Sequence, residues 1–241
     1  MTAQTRKDPI LWLPGFMQDA RLFLPQIVAL GAGRSMQIAL PTDHDTVEAM
    51  SAEILSHAPE NFVLVGQGLG GDVALDILRR VPARVTRLCL IATEPLSEPP
   101  QVAAAREARI VAVKAGRLVE IMRDEIPTTA LADTEWRADV LDLVRDMALN
   151  LGEGVYIRQS RALQRRPDQQ KTMRRVKVPA LILAGNSDIL VPLRRAEFTA
   201  GLMPFGKLRI IENAGHLPTL EQPDAVTAAL EDFLSGPVLL R

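Results

Sequence analysis

The sequence predicts an α/β fold: a mostly parallel, doubly wound sheet with an inserted helical cap. Three observations carry this. Short apolar runs alternate with amphipathic segments through residues 10–91 and again after Pro179. The stretch between them, about 95–175, shows helical periodicity alone. A glycine-rich turn, Gly66-Gln67-Gly68-Leu69-Gly70-Gly71, joins an apolar run to a helix. Alternation of this kind places strands in one parallel sheet, linked by right-handed helical crossovers.

Taken in order, residues 10–13 read as a strand closed by Pro14-Gly15. Residues 20–30 read as a helix, and 36–40 as a strand stopped by Pro41. In 47–57, Val47, Met50 and Ile54 recur at helical spacing, with Leu55 beside them. A short buried strand over 62–65 precedes a helix over 69–80, which stops before Pro82. Residues 85–91 form the next strand. In the helical block, 102–114 ends at Gly116, a residue suited to the left-handed position after a helix. The helix over 118–126 ends before Pro127. A helix over 135–151 takes Asp133 or Thr134 as its cap and ends at Gly152. The last, over 155–165, ends before Pro167. The alternation then resumes with strand 180–184, helix 193–202, strand 207–211 and helix 224–234. The expected division is a core of residues 1–94 and 176–241, with a cap over 95–175.

Composition narrows the function classes. The chain has 241 residues, 47% hydrophobic and 24% charged, with a net charge of −1. That balance offers no general attraction to nucleic acid or to a membrane surface. One Tyr, two Trp and six Phe are too few for a base-stacking platform. No apolar stretch approaches the roughly 20 residues of a membrane span. Residues 10–13 are too short for the apolar core of a signal peptide, so a cytoplasmic location is expected. Cys89 is the sole cysteine, which excludes an intrachain disulfide and a cysteine zinc site. It lies in an apolar run and is expected to be buried and inert. His44 and His57 read as surface residues, and no ligand spacing for a metal is present. The stretch 158–177 holds eight Lys/Arg and one acid, Asp168. It reads as a solvated face, with a docking patch or an attraction for anionic substrates as the alternative.

The glycine turn has two readings. Gly66, Gly68 and Gly71 satisfy G-x-G-x-x-G, and Glu94 stands where a ribose-binding acid would follow. The glycines would then let a pyrophosphate approach the backbone at a helix N-terminus. Gly66, Gly70 and Gly71 equally fit the flanks of a nucleophile elbow, G-x-S-x-G between a strand and a helix. In that reading position 68 carries no nucleophile.

The rest of the chain favours the second reading. Asn186-Ser187-Asp188 follow one predicted strand, and Ala214-Gly215-His216 follow another. With position 68 they keep the order nucleophile, acid, base, each after a strand end. Four segments, Leu13-Pro14-Gly15-Phe16, the glycine turn, Gly185-Asn186-Ser187-Asp188 and Ala214-Gly215-His216-Leu217-Pro218-Thr219-Leu220-Glu221-Gln222-Pro223, make the chain resemble the α/β-hydrolase superfamily over nearly its whole length. The likeness is to compact esterase-type members with a helical cap, and the usual first hairpin is missing. The resemblance implies that His216 is the general base and that Asp188 fixes its tautomer. It implies an oxyanion hole from the N–H groups of Phe16 and Leu69. Gln67, Met17, Trp12 and Phe16 would line the pocket or belong to the core. Glu94 would be a substrate contact or a salt-bridged residue, and Asp188 could also cap the helix near Leu193. The implied substrate is a small or medium acyl compound, an ester or thioester, with no cofactor. Oligomeric state is left open.

Gly68 leaves three possibilities. Serine was replaced by glycine, which removes the acyl-enzyme route. Or glycine is native, and His216 activates water or the substrate, as suits a hydrolase, a C–C cleaving enzyme or a lyase. Or the chain is a silent binder.

Overall fold

The computed structural model describes residues 7–237. Strands β1 (Ile10–Leu13), β2 (Met36–Ile38), β3 (Phe62–Gln67), β4 (Val85–Ile91), β5 (Ala180–Gly185) and β6 (Gly206–Ile211) form one sheet in the order β2-β1-β3-β4-β5-β6. Every pairing is parallel. Helices cover both faces, so the inner strands are mostly apolar rather than alternating with polar residues; Thr86, Arg87 and Gln67 are the polar members of β3 and β4. The register lines up Trp12, Val65, Cys89 and Leu181 across four strands. All four belong to one core cluster. Their neighbours Leu11, Leu64, Leu88 and Ala180 belong to the cluster on the other face. Burial pushes the Cys89 thiol up, away from the reactive thiolate.

The helices are α1 (Leu24–Leu30), α2 (Val47–His57), α3 (Leu69–Arg80), α4 (Pro100–Lys114), α5 (Leu118–Glu125), α6 (Arg137–Arg165), α7 (Gln170–Met173), α8 (Leu193–Leu202), α9 (Pro218–Glu221) and α10 (Pro223–Ser235). Val47, Met50 and Ile54 of α2 pack with α3 and with Ala196 of α8 on one face. Val226, Ala229 and Leu230 of α10 join the other, where α1 lies beside α10. Helices α4 to α7 follow β4 and precede β5. Their cluster of Ile110, Val113, Leu118, Met122, Ala148, Val155 and Tyr156 closes on Met17, with Phe16 against it. The helical block therefore rests on the loop that leaves β1.

Two departures from expectation bear on how the helices pack. The helix over 20–30 is split: a 3-10 turn, Ala20–Phe23, precedes α1. Pro25 lies in the first turn of α1, where it has no N–H to continue a helix from the residues before it. α6 starts at Arg137 without a side-chain cap, so neither Asp133 nor Thr134 caps it. Asp133 pairs with Arg137 instead, and the Trp136 indole is bonded to the Glu221 carbonyl just before the helix. Gly152 breaks α6 as expected, at φ 81° and ψ 175°.

The chain steps from β1 out to β2 and then returns to β3 on the other side of β1. Loops leaving β1 and β3 diverge there, which opens a crevice at the carboxyl edge. Among the described residues the non-glycine positions with positive φ are Met17, Ala92 and Asn213. Each follows the end of a strand at that edge, and backbone strain gathers where a site is built.

Candidate active site

The elbow is a single residue wide. β3 ends at Gln67, α3 begins at Leu69, and Gly68 turns the chain at φ 51° and ψ −119°. The Gly68 N–H donates to the Ile91 carbonyl at 3.1 Å, and its carbonyl accepts from Gly71 at 2.9 Å and Asp72 at 3.2 Å. Strand and helix approach so closely that side chains would collide. A Cβ on Gly66 would overlap the Gly70 backbone, one on Gly70 the Leu13 carbonyl, and one on Gly71 the Thr93 side chain. A Cβ on Gly68 would meet only the Gly15 Cα, at 3.9 Å. Packing at the sharp turn thus explains three glycines without any bound pyrophosphate. Position 68 has room for a side chain and lies in the strained conformation of an elbow.

The loop after β1 lies across this turn. Met17 sits at φ 54°, and its N–H donates to Gln159 Oε1 at 2.7 Å. Gln159 Nε2 donates in turn to the Pro41 carbonyl at 3.0 Å, so α6 fixes the loop. Among the described residues the N–H groups of Phe16 and Leu69 have no acceptor. The second stands at the N-terminus of α3, where the helix dipole adds positive potential. Two unused donors flanking position 68 suit an oxyanion.

The next two sheet edges supply a dyad. Asp188 follows β5, and His216 follows β6. His216 Nδ1 bonds Asp188 Oδ2 at 3.0 Å. With Nδ1–H donated to the carboxylate, Nε2 keeps its lone pair and can act as a base. Asp188 Oδ1 accepts from Leu190 at 2.8 Å and Val191 at 2.9 Å. Asp188 thus orients His216 and closes its own turn. α8 has no side-chain cap. The Asp188 side chain is fully buried, while His216 keeps 15% exposure.

Gln67 faces the base. Its Nε2 donates to the His216 carbonyl at 3.2 Å, and its Oε1 accepts from Thr219 Oγ1 at 3.2 Å. Both amide ends are engaged within the protein, and the residue is buried. Trp12 and Met17 are buried core. Phe16 is edge-on to Tyr156, and the Arg106 guanidinium lies 5.5 Å above its ring. Glu94 is salt-bridged, to Arg166 at 3.2 Å and Arg195 at 3.4 Å. His44 pairs with Glu53, and His57 is exposed.

Residues that sequence reasoning missed surround this set. Arg166 also reaches Asp72 at 3.3 Å, one turn into α3. Burial pushes the Asp72 carboxyl up to about 6; Arg166 opposes this, and Glu94 and Glu98 add to it. Arg106 bonds Glu98 at 2.7 Å, and Tyr156 donates to Glu125 at 2.6 Å. Glu221 is buried, and its carboxylate accepts from Ala132, Gly215 and Leu217. Burial raises the Glu221 pKa, against the pull of these three N–H groups and of His216. Its signal lay in the sequence motif that follows His216, without a role attached.

Four of the eight cations in the basic stretch are held by acids or a carbonyl within the chain. Arg158 holds the Thr42 carbonyl, Arg161 pairs with Glu107, Arg165 with Asp45, and Arg166 with two acids. A groove of about 1320 Å³ opens between Leu78, Arg175, Val178 and Phe205. It includes none of Gly68, Asp188 and His216. Among the described residues no cluster of His, Cys, Asp and Glu could hold a metal ion. No helix among them is long and apolar enough to cross a membrane.

Comparison with known proteins agrees with this fold. The sequence profile of the alpha/beta hydrolase family matches residues 10–229. A pimeloyl-[acyl-carrier protein] methyl ester esterase of Aromatoleum aromaticum is 29% identical over 213 residues, 81% of this chain and 83% of the relative. The enzyme of the same name from Nitrosomonas europaea is 24% identical over 223 residues, 88% of this chain and 84% of the relative. Among solved structures, a thermophilic esterase from Thermogutta terrifontis superposes with a TM-score of 0.85 at 24% identity, over 97% of this chain and 95% of its own.

Proposed function

The chain belongs to the alpha/beta hydrolase family and is an esterase-type hydrolase by kinship, and we propose that it is the framework of a serine esterase whose position 68 supplies no nucleophile. Its substrate is a carboxylic ester or thioester of a small or medium acyl group. The relatives named for methyl esters of a carrier-linked acyl chain support an ester of a small alcohol.

One observation carries the reading. Gly68 keeps the dihedral angles of an elbow and has room for a side chain, beside a His216–Asp188 pair bonded at 3.0 Å. Position 68, the dyad and the free donors of Phe16 and Leu69 converge on one edge of the sheet. With serine at 68, His216 would take the hydroxyl proton as Oγ attacks the carbonyl carbon. The two N–H groups would stabilise the oxyanion, and the protonated imidazole would return its proton to the leaving alcohol. With glycine, the same base can deprotonate only a water. That water attacks the carbonyl directly, and no acyl-enzyme forms. The absence of a Cβ at 68 leaves space for it. The oxyanion hole and binding alone provide roughly 10³–10⁴-fold over water, and the water activated by His216 adds to that floor.

The test is Gly68→Ser. Hydrolysis of p-nitrophenyl acetate or butyrate should rise at least 10²-fold, with a burst of p-nitrophenol from the acyl-enzyme. A folded Gly68→Ser protein with no gain rejects the reading. In the glycine form, the hydrolysis above that floor should disappear in His216→Ala. Hydrolysis unchanged by that substitution removes the base from His216.

A further inference from the structure

We infer that Glu221 is a positioning residue that ties the His216 turn to the helical block, so that the base and the cover above it move as one. The carboxylate lies in α9, five residues past His216, and is 1% exposed. Its Oε2 accepts from Gly215 at 2.8 Å and from Ala132 at 2.7 Å, and its Oε1 accepts from Leu217 at 2.9 Å. Two of these donors flank His216 in the chain. The third belongs to the segment between α5 and α6.

Other contacts join the same two segments. The His216 N–H donates to the Ala130 carbonyl at 2.8 Å. Gly215 packs so closely that a Cβ would overlap that carbonyl and the Leu131 Cα. The Trp136 indole donates to the Glu221 carbonyl at 3.1 Å, just ahead of α6. From the other side, Gln67 holds the His216 carbonyl. The peptide groups of His216 are therefore gripped by the helical block at the nitrogen and by the elbow at the oxygen.

The charge of Glu221 matters as well as its shape. Among the described residues no Arg or Lys forms a salt bridge with it. A buried carboxylate held only by N–H donors is costly unless something nearby gains from it. His216 lies within Coulombic reach, and it becomes cationic when it takes a proton. Glu221 holds the base in place through its three N–H donors. Displacing the segment at Ala132 removes one donor from the carboxylate and loosens the turn that carries His216.

Because this inference rests on the esterase reading, the kinetic test uses the Gly68→Ser protein. Glu221→Gln keeps the shape, loses the charge and turns an NH₂ group toward an N–H. We expect kcat to fall about 10²-fold with KM within about twofold, the pattern of a displaced base rather than of lost binding. Glu221→Asp, one methylene shorter, carries the same test if the Gln variant does not fold. A second measurement needs no activity. In the unaltered chain, Glu221→Gln should speed hydrogen exchange at Ala132, Gly215 and Leu217 together and shift the His216 ring resonance. A folded variant with kcat within twofold and all three amides still protected overturns the inference. If Gly68→Ser gains no hydrolysis, the esterase reading fails, and the exchange and ring signals decide the role of Glu221 alone.

Discussion

Gln67 Nε2 donates to the carbonyl of His216 at 3.2 Å. The residue just before the elbow thus holds the base from across the site. A residue on the pocket wall would change KM when altered, whereas a support for the base changes kcat. In the Gly68→Ser protein, Gln67→Leu should lower kcat about tenfold with little change in KM. The His216 carbonyl and Thr219 hydroxyl lose a buried partner, at about 1–3 kcal/mol of stability each when left unsatisfied. Steady-state kinetics and urea denaturation check both parts. A KM effect without a kcat effect would return Gln67 to the pocket.

The glycines of the elbow should separate by cause. Gly70→Ala drives a Cβ into the Leu13 carbonyl, which is rigid backbone. It should cost more than about 3 kcal/mol or prevent folding. Gly68→Ser meets no such collision and carries only a residue in a sparsely populated region at positive φ, about 1–3 kcal/mol. Denaturation midpoints of the two variants test the contrast. Equal losses would mean that the space at position 68 is misjudged.

On the proposed reading, Asp188 acts through His216, which it bonds at 3.0 Å. Asp188→Asn in the Gly68→Ser protein can still bond the imidazole, but it favours the wrong tautomer. A loss of about 10⁴-fold in kcat follows. Stability should change less, because the amide oxygen can still accept from Leu190 and Val191, as Asp188 Oδ1 does. Rates measured across the pH range, with circular dichroism to confirm folding, provide the check.

Asp72 should make stability depend on pH. Its carboxyl is pushed up to about 6 in the folded chain, from an ordinary 3.8, chiefly by burial. The folded state therefore holds its proton where the unfolded chain has already lost it. No penalty exists below the ordinary value; it grows as pH rises from about 4 to about 6 and is complete above that. Its full size is about 3 kcal/mol. Asp72→Asn should flatten this part of the curve, measured as urea midpoints between pH 4 and pH 8. An unchanged slope would show that Arg166 keeps Asp72 ionised throughout.

Much of the fold was legible because parallel strands and their crossovers have strong local signals. The bounds of β1, α2, α3, β4 and α8 match the expected ones. The boundary at α6 was not legible. Asp133 and Thr134 have the chemistry of caps, but the bond from Trp136 to a distant carbonyl moves the helix start to Arg137. The short helix α9 was missed for a similar reason. Four residues show no periodicity, and Pro218 is their one cue.

For the site, the sequence by itself determined which residue types stand after which strands. Those were Gly68 in the elbow, Asp188 and His216 in chain order, and Phe16 in the loop after the first strand. These are local facts, because each turn is encoded by its own few residues. The tertiary structure alone decided what they touch. It bonded His216 to Asp188, turned Gln67 toward His216, paired Glu94 with two arginines and set Glu221 between the base and the helical block. Apart from those of Glu221 within its own turn, those contacts join residues from 28 to 149 positions apart, and no local pattern constrains such distances. The sequence could show that the elbow lacks a side chain. The packing separated its glycines: backbone collisions require glycine at 66 and 70 and a crowded side chain does so at 71, while position 68 stands open.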